Sequence, residues 1–403
     1  MADRLTHVLV ECPALIASVQ VGVLNALAPM EGKNCEVRFR ETRRLKRKDI
    51  QWCDIFVCVR GSEALTEQIV SEIKRHRRLV LYFLDDDLLH LPETSLSRIY
   101  FDYEENRKAL VNILAQCDGL WGVNEEIRNM YLPLCGCQRW ICSRVPIQIQ
   151  QSAMPAANQT PVKVLYAGSE DHQDMVREIL LPAIQKVIEQ CGDTVEFTFI
   201  GPNPQMDNSA QVQFYKFFED YNDYRSFVEN GNFQIGLAPM LTGQFYQCKY
   251  YNKFVEYTSI GAAGIYTDCP LYKQIIRSGE NGLLCENTKD GWVEAIIRLV
   301  EQPELRRKCI QSAETILQEQ FQPEQVSAQL LRQIPELETF RAPEIPIFAV
   351  AMPNPWLSFY MGRCKYLFHQ YRLFAVPIIG FKAVKKIVQC LLRSVCRYVQ
   401  RLF

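Results

Sequence analysis

Lys253 and Glu256 stand three residues apart, a spacing that puts both side chains on one face of a helix. A lysine neutralises phosphate oxygens, and a carboxylate accepts hydrogen bonds from ribose or sugar hydroxyls. The pair suits a phosphorylated, hydroxyl-rich ligand, and it would serve equally as an ordinary surface ion pair. Lys249 offers a second cation shortly before it. Gly168-Ser169, Gly201 and Gly261 fall where strands or helices should end, with Thr267 at another strand end and His172 just beyond the first. Small residues at such turns let an anion approach backbone N–H groups at helix starts. In the first half of the chain, Arg60 ends one apolar run and Asp85-Asp86-Asp87 follow another. Three carboxylates at one strand exit are costly to bury together. Asp86, Arg60 and His172 are therefore candidates for aligning a second reactant or handling a proton. A strand-end cap, an ion pair between the two halves and a helix-entry hydrogen bond are the structural alternatives.

The elements that must position these residues are most regular over 230–287. FQIGLAP reads as a strand stopped by Pro239, 250–260 as a helix ending near Gly261, and AAGIYTD as a second strand. PLYKQIIRSG follows as a helix, then NGLLCE as a strand after an Asn-Gly turn. Strand, helix and strand at this spacing build a parallel sheet, whose ligands sit outside the carboxyl ends of the strands. Upstream, 6–12, 35–40, 52–60, 79–84 and 119–123 read as strands, with helices over 14–28, 62–75, 106–116 and 125–132. Residues 148–161 lose periodicity, as a linker does, before strands at 163–167 and 194–200 flank a helix over 174–190. The aromatic cluster at 214–225 is expected at the domain interface. The two halves share one rhythm, which predicts an α/β protein of two facing doubly wound domains with a cleft between them.

With 403 residues, 48 % hydrophobic and 23 % charged, the chain fits a soluble globular protein of two domains. A net charge of −1 argues against a dedicated nucleic-acid binder. Sixteen scattered cysteines suggest reduced thiols, and the spacing of Cys135, Cys137 and Cys142 matches no standard zinc site, so no metal is expected. There is no GxGxxG after the first strand, no GxxxxGK[ST] and no GxSxG. Dinucleotide oxidoreductases, P-loop enzymes and serine hydrolases thus lack motif support. No signal peptide is expected from the N-terminal residues, and no stretch approaches the roughly 20 apolar residues of a spanning helix. The stretch Glu41 to Asp49, strongly basic in its middle, is read as a solvated face or loop, or as a patch for an anionic acceptor or lipid. After Glu344 there is no acidic residue. Within 380–403, Phe381, Val384, Val388, Leu391, Val395, Tyr398 and Leu402 share one helical face among lysines and arginines. Such a basic amphipathic helix can lie in an anionic membrane interface, or dock on the protein's own acidic body.

In order along the chain, KVLYAGSEDH, VEFTFIG, IGLAPM, NKFVEYTSIGAAGIYTD and IIRSGENGLLCEN resemble the donor-binding half of a GT-B glycosyltransferase of group 1, family 4. CDIFVCVR and LVLYFLDDDL look like bacterial polysaccharide-biosynthesis members, and the resemblance covers roughly residues 1–330. It implies an acceptor-side domain at 1–155, a donor domain at 156–320, a crossover or packing helix and linker at 321–345 and a basic amphipathic membrane-associating extension at 346–403. The donor would be a nucleoside-diphosphate sugar, with a UDP-sugar favoured and no tightly bound cofactor. Glu256 matches the second glutamate of the family's E-x7-E motif, expected at the donor ribose. Lys253 is expected near the donor diphosphate, with Lys249 as a second candidate. Gly168, Ser169 and Gly201 match donor-side loops, and Thr267 lines the same cleft. The first glutamate of the motif falls at Cys248, where Gln244 or Gln247 would have to substitute. The resemblance further implies a retaining, metal-independent transfer to a lipid-linked or cell-surface saccharide, on the cytoplasmic face of a membrane contacted through 380–403. A non-catalytic scaffold of the same fold and a nucleotide-sugar epimerase are the competing readings.

Overall fold

The computed structural model describes residues 4–93, 95, 97–147, 159–168, 173–206, 210–218 and 220–372. Two six-stranded sheets divide the chain. The first contains β1 (Thr6–Cys12), β2 (Cys35–Glu41), β3 (Ile55–Val59), β4 (Leu79–Leu84), β5 (Gly119–Gly122) and β6 (Trp140–Cys142) in the order β2-β1-β3-β4-β5-β6. The second contains β7 (Val162–Ala167), β8 (Val195–Ile200), β9 (Val212–Tyr215), β10 (Ile235–Ala238), β11 (Ala263–Thr267) and β12 (Leu283–Cys285) in the order β12-β11-β10-β7-β8-β9. Every pairing is parallel. Parallel strands covered by helices on both faces read as unbroken apolar runs, and IFVCV of β3 is buried at every position. The strand order reverses between β1 and β3 in one sheet and between β7 and β10 in the other. At such a reversal the helices leave to opposite faces and open a crevice at the carboxyl edge.

Four helices matter for the site: α1 (Glu125–Tyr131), α2 (Asn252–Ser259), α3 (Pro323–Gln333) and α4 (Pro355–Tyr371). After the helix Pro303–Gln320 the chain returns to the first sheet. There Gln333 imitates a strand, accepting from the Cys142 amide at 2.9 Å and donating to its carbonyl at 2.8 Å. Arg139 forks onto Glu336 at 2.7 and 2.8 Å. One apolar core joins the first sheet to Tyr250, Phe254, Leu317 and Phe321, while a second core lies within the other sheet's own half.

Several elements depart from the expected pattern. Residues 14–28 contain a wide-turned π-helix, Ser18–Leu24, which runs into a short α-turn. The helix expected over PLYKQIIRSG stops after Pro270–Lys273. The Asn281 side chain takes over there, accepting from the Arg277 amide at 2.6 Å and donating to the Ile275 carbonyl at 2.8 Å. Such local bonds compete with helix propagation. The 214–225 aromatics divide: Phe214 and Tyr215 are exposed on the edge strand β9, whereas Phe218 and Tyr224 pack against the core that joins the halves. The amphipathic segment 380–403 lies outside the described residues, and among those described no helix is long and apolar enough to cross a membrane.

Candidate functional site

Helix α2 runs antiparallel to the strands of the second sheet, so its first turn sits at their carboxyl edge. Its inner face, Phe254, Val255, Tyr257 and Thr258, is buried. The Tyr257 hydroxyl donates to the Leu237 carbonyl at 2.6 Å, and the ring lies so close to β10 that a Cβ on Gly236 would meet it at 2.3 Å. This close approach requires glycine at 236. On the same helix, Lys253 Nζ donates to Glu256 Oε2 at 2.6 Å. Burial pushes the Lys253 amine down to about 7 and the Glu256 carboxyl up to about 8. Glu256 Oε1 is buried without a hydrogen-bond partner. An orphaned carboxylate oxygen beside a lysine is a ready acceptor for a ligand hydroxyl.

The loop before α2 is held by the other half of the molecule. Asn124 ends the turn after β5 and caps α1, its Oδ1 accepting from the Ile127 amide at 2.9 Å. Its Nδ2 donates to the carbonyls of Cys248 and Lys249, both at 2.8 Å. The Val145 amide donates to the Tyr250 hydroxyl at 3.1 Å. Cys248 is fully buried, with Sγ 3.2 Å from Met130 Sδ. The position expected to carry a sugar-contacting carboxylate is therefore a dry contact between the halves, where an ionised carboxylate would be strongly disfavoured. Gln244 and Gln247 are exposed nearby.

So anchored, Lys249 reaches Asp86 Oδ2 at 3.2 Å and sits 4.3 Å over the Phe245 ring. Arg60, at the end of β3, lies 3.6 Å from both Asp85 Oδ1 and Asp86 Oδ2 and donates to Ser18 Oγ at 3.2 Å. Its φ of 54° is a left-handed conformation uncommon for a residue with a Cβ. Burial raises the Asp86 pKa, with Lys249 and Arg60 pulling against it. Asp87 is different. It is fully buried, and its Oδ1 accepts from the Tyr131 hydroxyl at 2.6 Å and from the Leu89 and His90 amides at 3.0 and 3.2 Å. The structure thus brings Arg60, Asp85, Asp86 and Lys249 together and assigns Asp87 to holding the turn.

Other expected residues fare differently. The Gly168 amide donates to Ile200 O at 3.0 Å and the Gly201 amide to Tyr215 O at 2.9 Å. These two N–H groups extend the sheet ladder, so the glycines' own amides are already bonded. Thr267 is buried; its hydroxyl accepts from the Met240 amide at 2.8 Å and donates to Asn287 Oδ1 at 3.3 Å, pinning the strand ends instead of facing the cleft. Ser169 and His172 lie outside the described residues. Among those described, no group of His, Cys, Asp and Glu is arranged to hold a metal. Asn124 and Asn287 were missed. The first was readable as a helix cap ahead of Glu125-Glu126, but nothing in the sequence shows its reach to residue 248.

The same architecture occurs in solved glycosyltransferases of the GT-B fold. Anabaena HepE, determined with UDP and glucose, shares 11 % identity at a TM-score of 0.58, covering 82 % of this chain and 100 % of HepE. The sucrose-phosphate synthase of Thermosynechococcus elongatus shares 13 % at 0.53, covering 83 % and 99 %. S. aureus TarM shares 14 % at 0.51, and here 69 % of this chain spans only 54 % of TarM, about half its length. No curated protein sequence matches the chain. Residues 161–302, the segment that carries Lys253 and Glu256, match the family model described as Glycosyl transferases group 1.

Proposed function

We propose that this protein transfers a sugar from a nucleoside-diphosphate sugar to a saccharide acceptor. The observation that carries the proposal is the Lys253–Glu256 pair, with Glu256 Oε1 unpartnered, within the segment matched by the group 1 family model. Glu256 would accept from the donor ribose, and Lys253 would offset the charge that develops on the leaving diphosphate. A UDP-sugar is the favoured donor; HepE, of the same fold, was solved with UDP-glucose. In this reading residues 1–155 hold the acceptor, 156–320 hold the donor, and 321–345 link back to the first half. Arg60 and Asp86 would orient the acceptor, with Lys249 bridging to them from the donor side. Transfer would proceed with retention, without a metal held by the Asp85–Asp87 triplet. The acceptor would be lipid-linked, and the basic segment 380–403 would help hold the enzyme on an anionic membrane.

Calorimetric titration with UDP, GDP and CDP, with the monophosphates as controls, tests the donor site. Selective diphosphate binding that is lost in a Lys253→Ala, Glu256→Ala double variant is the expected result. A folded protein that binds none of them, alone or with acceptor, would favour the scaffold reading, which the buried Cys248 at the motif position keeps in play.

A further inference from the structure

Helix α4 is apolar on two sides, and among the described residues only one of them is packed. Its inner side is anchored on the first half: Phe359 and Leu367 are buried, and Arg363 pairs with Glu63 at 2.6 Å. Tyr360 accepts from Arg43 at 3.0 Å. On the other side Leu357, Met361 and Phe368 are 50, 53 and 48 % exposed, at a spacing of four and seven that keeps them on one stripe. Trp356 at its first turn is 60 % exposed, and Phe348 just before it is 83 % exposed.

The stripe begins beside a strongly basic groove. Arg43, Arg44, Lys46 and Arg47 line one wall, residues 352–355 line the other, and the space between is about 450 Å³ with no acidic residue in its lining. Glu41 pairs with Arg43 and Arg44 from below. Lys46 and Arg47 are exposed and make no ion pair among the described residues. Clustered cations without counter-charges attract anions and repel one another, so they fit a surface that supplies negative charge. Exposed aromatic and aliphatic side chains beside such cations are the composition of an interfacial membrane contact, the rings entering the headgroup boundary while the cations meet phosphates. The groove follows the carboxyl end of β2, the same sheet edge that carries Arg60 and Asp85.

We propose that the outer face of α4 and the Arg43–Arg47 groove together form a docking surface for an anionic lipid bilayer, with a headgroup phosphate in the groove. This surface is built into the folded body and is distinct from the terminal segment 380–403. The proposal deepens the lipid-linked acceptor reading, on which its biological purpose rests, because docking there brings the carboxyl edge of the first sheet to the bilayer.

The test is flotation of the full-length protein with vesicles of phosphatidylcholine alone or mixed with phosphatidylglycerol. Wild type should float only with the anionic vesicles. An Arg44→Glu, Lys46→Glu, Arg47→Glu variant and a Trp356→Ser, Leu357→Ser variant should each lose at least tenfold in vesicle affinity. Both should keep the circular dichroism and nucleotide binding of wild type. Lys382→Gln, Lys385→Gln, Lys386→Gln in the terminal segment should retain part of the binding. Loss confined to this last variant would overturn the proposal, as would full binding by both surface variants. A concentration-dependent dimer in the absence of vesicles, abolished by Leu357→Ser with Met361→Ser, would assign the stripe to a second copy and also overturn it. Nucleotide binding without flotation would refute the docking surface alone. Flotation without nucleotide binding would refute the transferase reading alone.

Discussion

Lys253 and Glu256 meet at 2.6 Å because a helix turns any residues three apart toward each other. Asp85, Asp86 and Asp87 are closer in sequence and end in three different environments. Asp85 faces Arg60, Asp86 is shared between Arg60 and Lys249, and Asp87 is sealed beneath Tyr131. The helix repeat carries local spacing directly into geometry. A strand exit does not, because each carboxylate there is claimed by a partner 25 to 163 residues away. Roles divide within the triplet as well: Glu256 Oε1 and Asp85 Oδ1 are each buried without a hydrogen bond, whereas Asp87 spends its oxygens on the fold.

The largest effect should come from the helical pair. Lys253→Ala with Glu256→Ala should lower transfer by roughly 100- to 1000-fold, the scale of removing a group that meets developing charge. The same variant should leave unfolding in urea unchanged or slightly favour the fold, since burial already disfavours both charges and the pair is removed as a whole. If transfer survives, the pair is an ordinary ion pair and the contrast with the triplet collapses. Next in size is Asp87→Ala, which strands the Tyr131 O–H and the His90 amide, while the Leu89 amide keeps the Tyr131 oxygen. It should cost about 3 kcal/mol in urea unfolding, with nucleotide binding intact below the transition. Asp86→Asn should do the reverse. Lys249 is 31 % exposed and can turn to water, so stability should move by less than about 1 kcal/mol. The kcat/KM should fall by about tenfold if Asp86 orients the acceptor, worth one tenfold step of barrier. Equal stability losses for Asp86→Asn and Asp87→Ala would show that the triplet is one structural unit.

These contrasts also mark how far the sequence can be read. The strands β1 and β4 were legible to the residue, because strands buried on both faces leave unbroken apolar runs bounded by polar turns. The three-residue β6 was not, since Trp140–Cys142 is too short to show a period and gains its second partner from Gln333. Gly168 and Gly201 were recognisable as turn residues, but whether their amides are free depends on pairing with strands elsewhere in the chain. Cys248 was visible as a departure from the motif, and only the contact with Met130 explains it. Side chains whose partners lie on their own helix are readable; those whose partners arrive from the other half are not.

The smallest effect is a pH dependence, and it sharpens the comparison from the helical side. Burial lowers the Lys253 amine to about 7 in the free protein. A bound diphosphate adds negative charge beside it and raises that value, because an opposite charge favours the protonated form. Between the two values binding takes up a proton, so affinity should weaken as pH rises above about 7 and be flat with respect to this group below it. The slope can reach at most about tenfold per pH unit for one proton. Lys253→Arg keeps its charge throughout this range, so its affinity should lose the slope while remaining measurable. Asp86→Asn should retain the slope, because Asp86 belongs to the other cluster. Titration of UDP from pH 6 to 9 in the three proteins reads this directly. An unchanged slope in Lys253→Arg would place the titration on Glu256, whose carboxyl burial raises to about 8 and which accepts from the amine, instead of on Lys253.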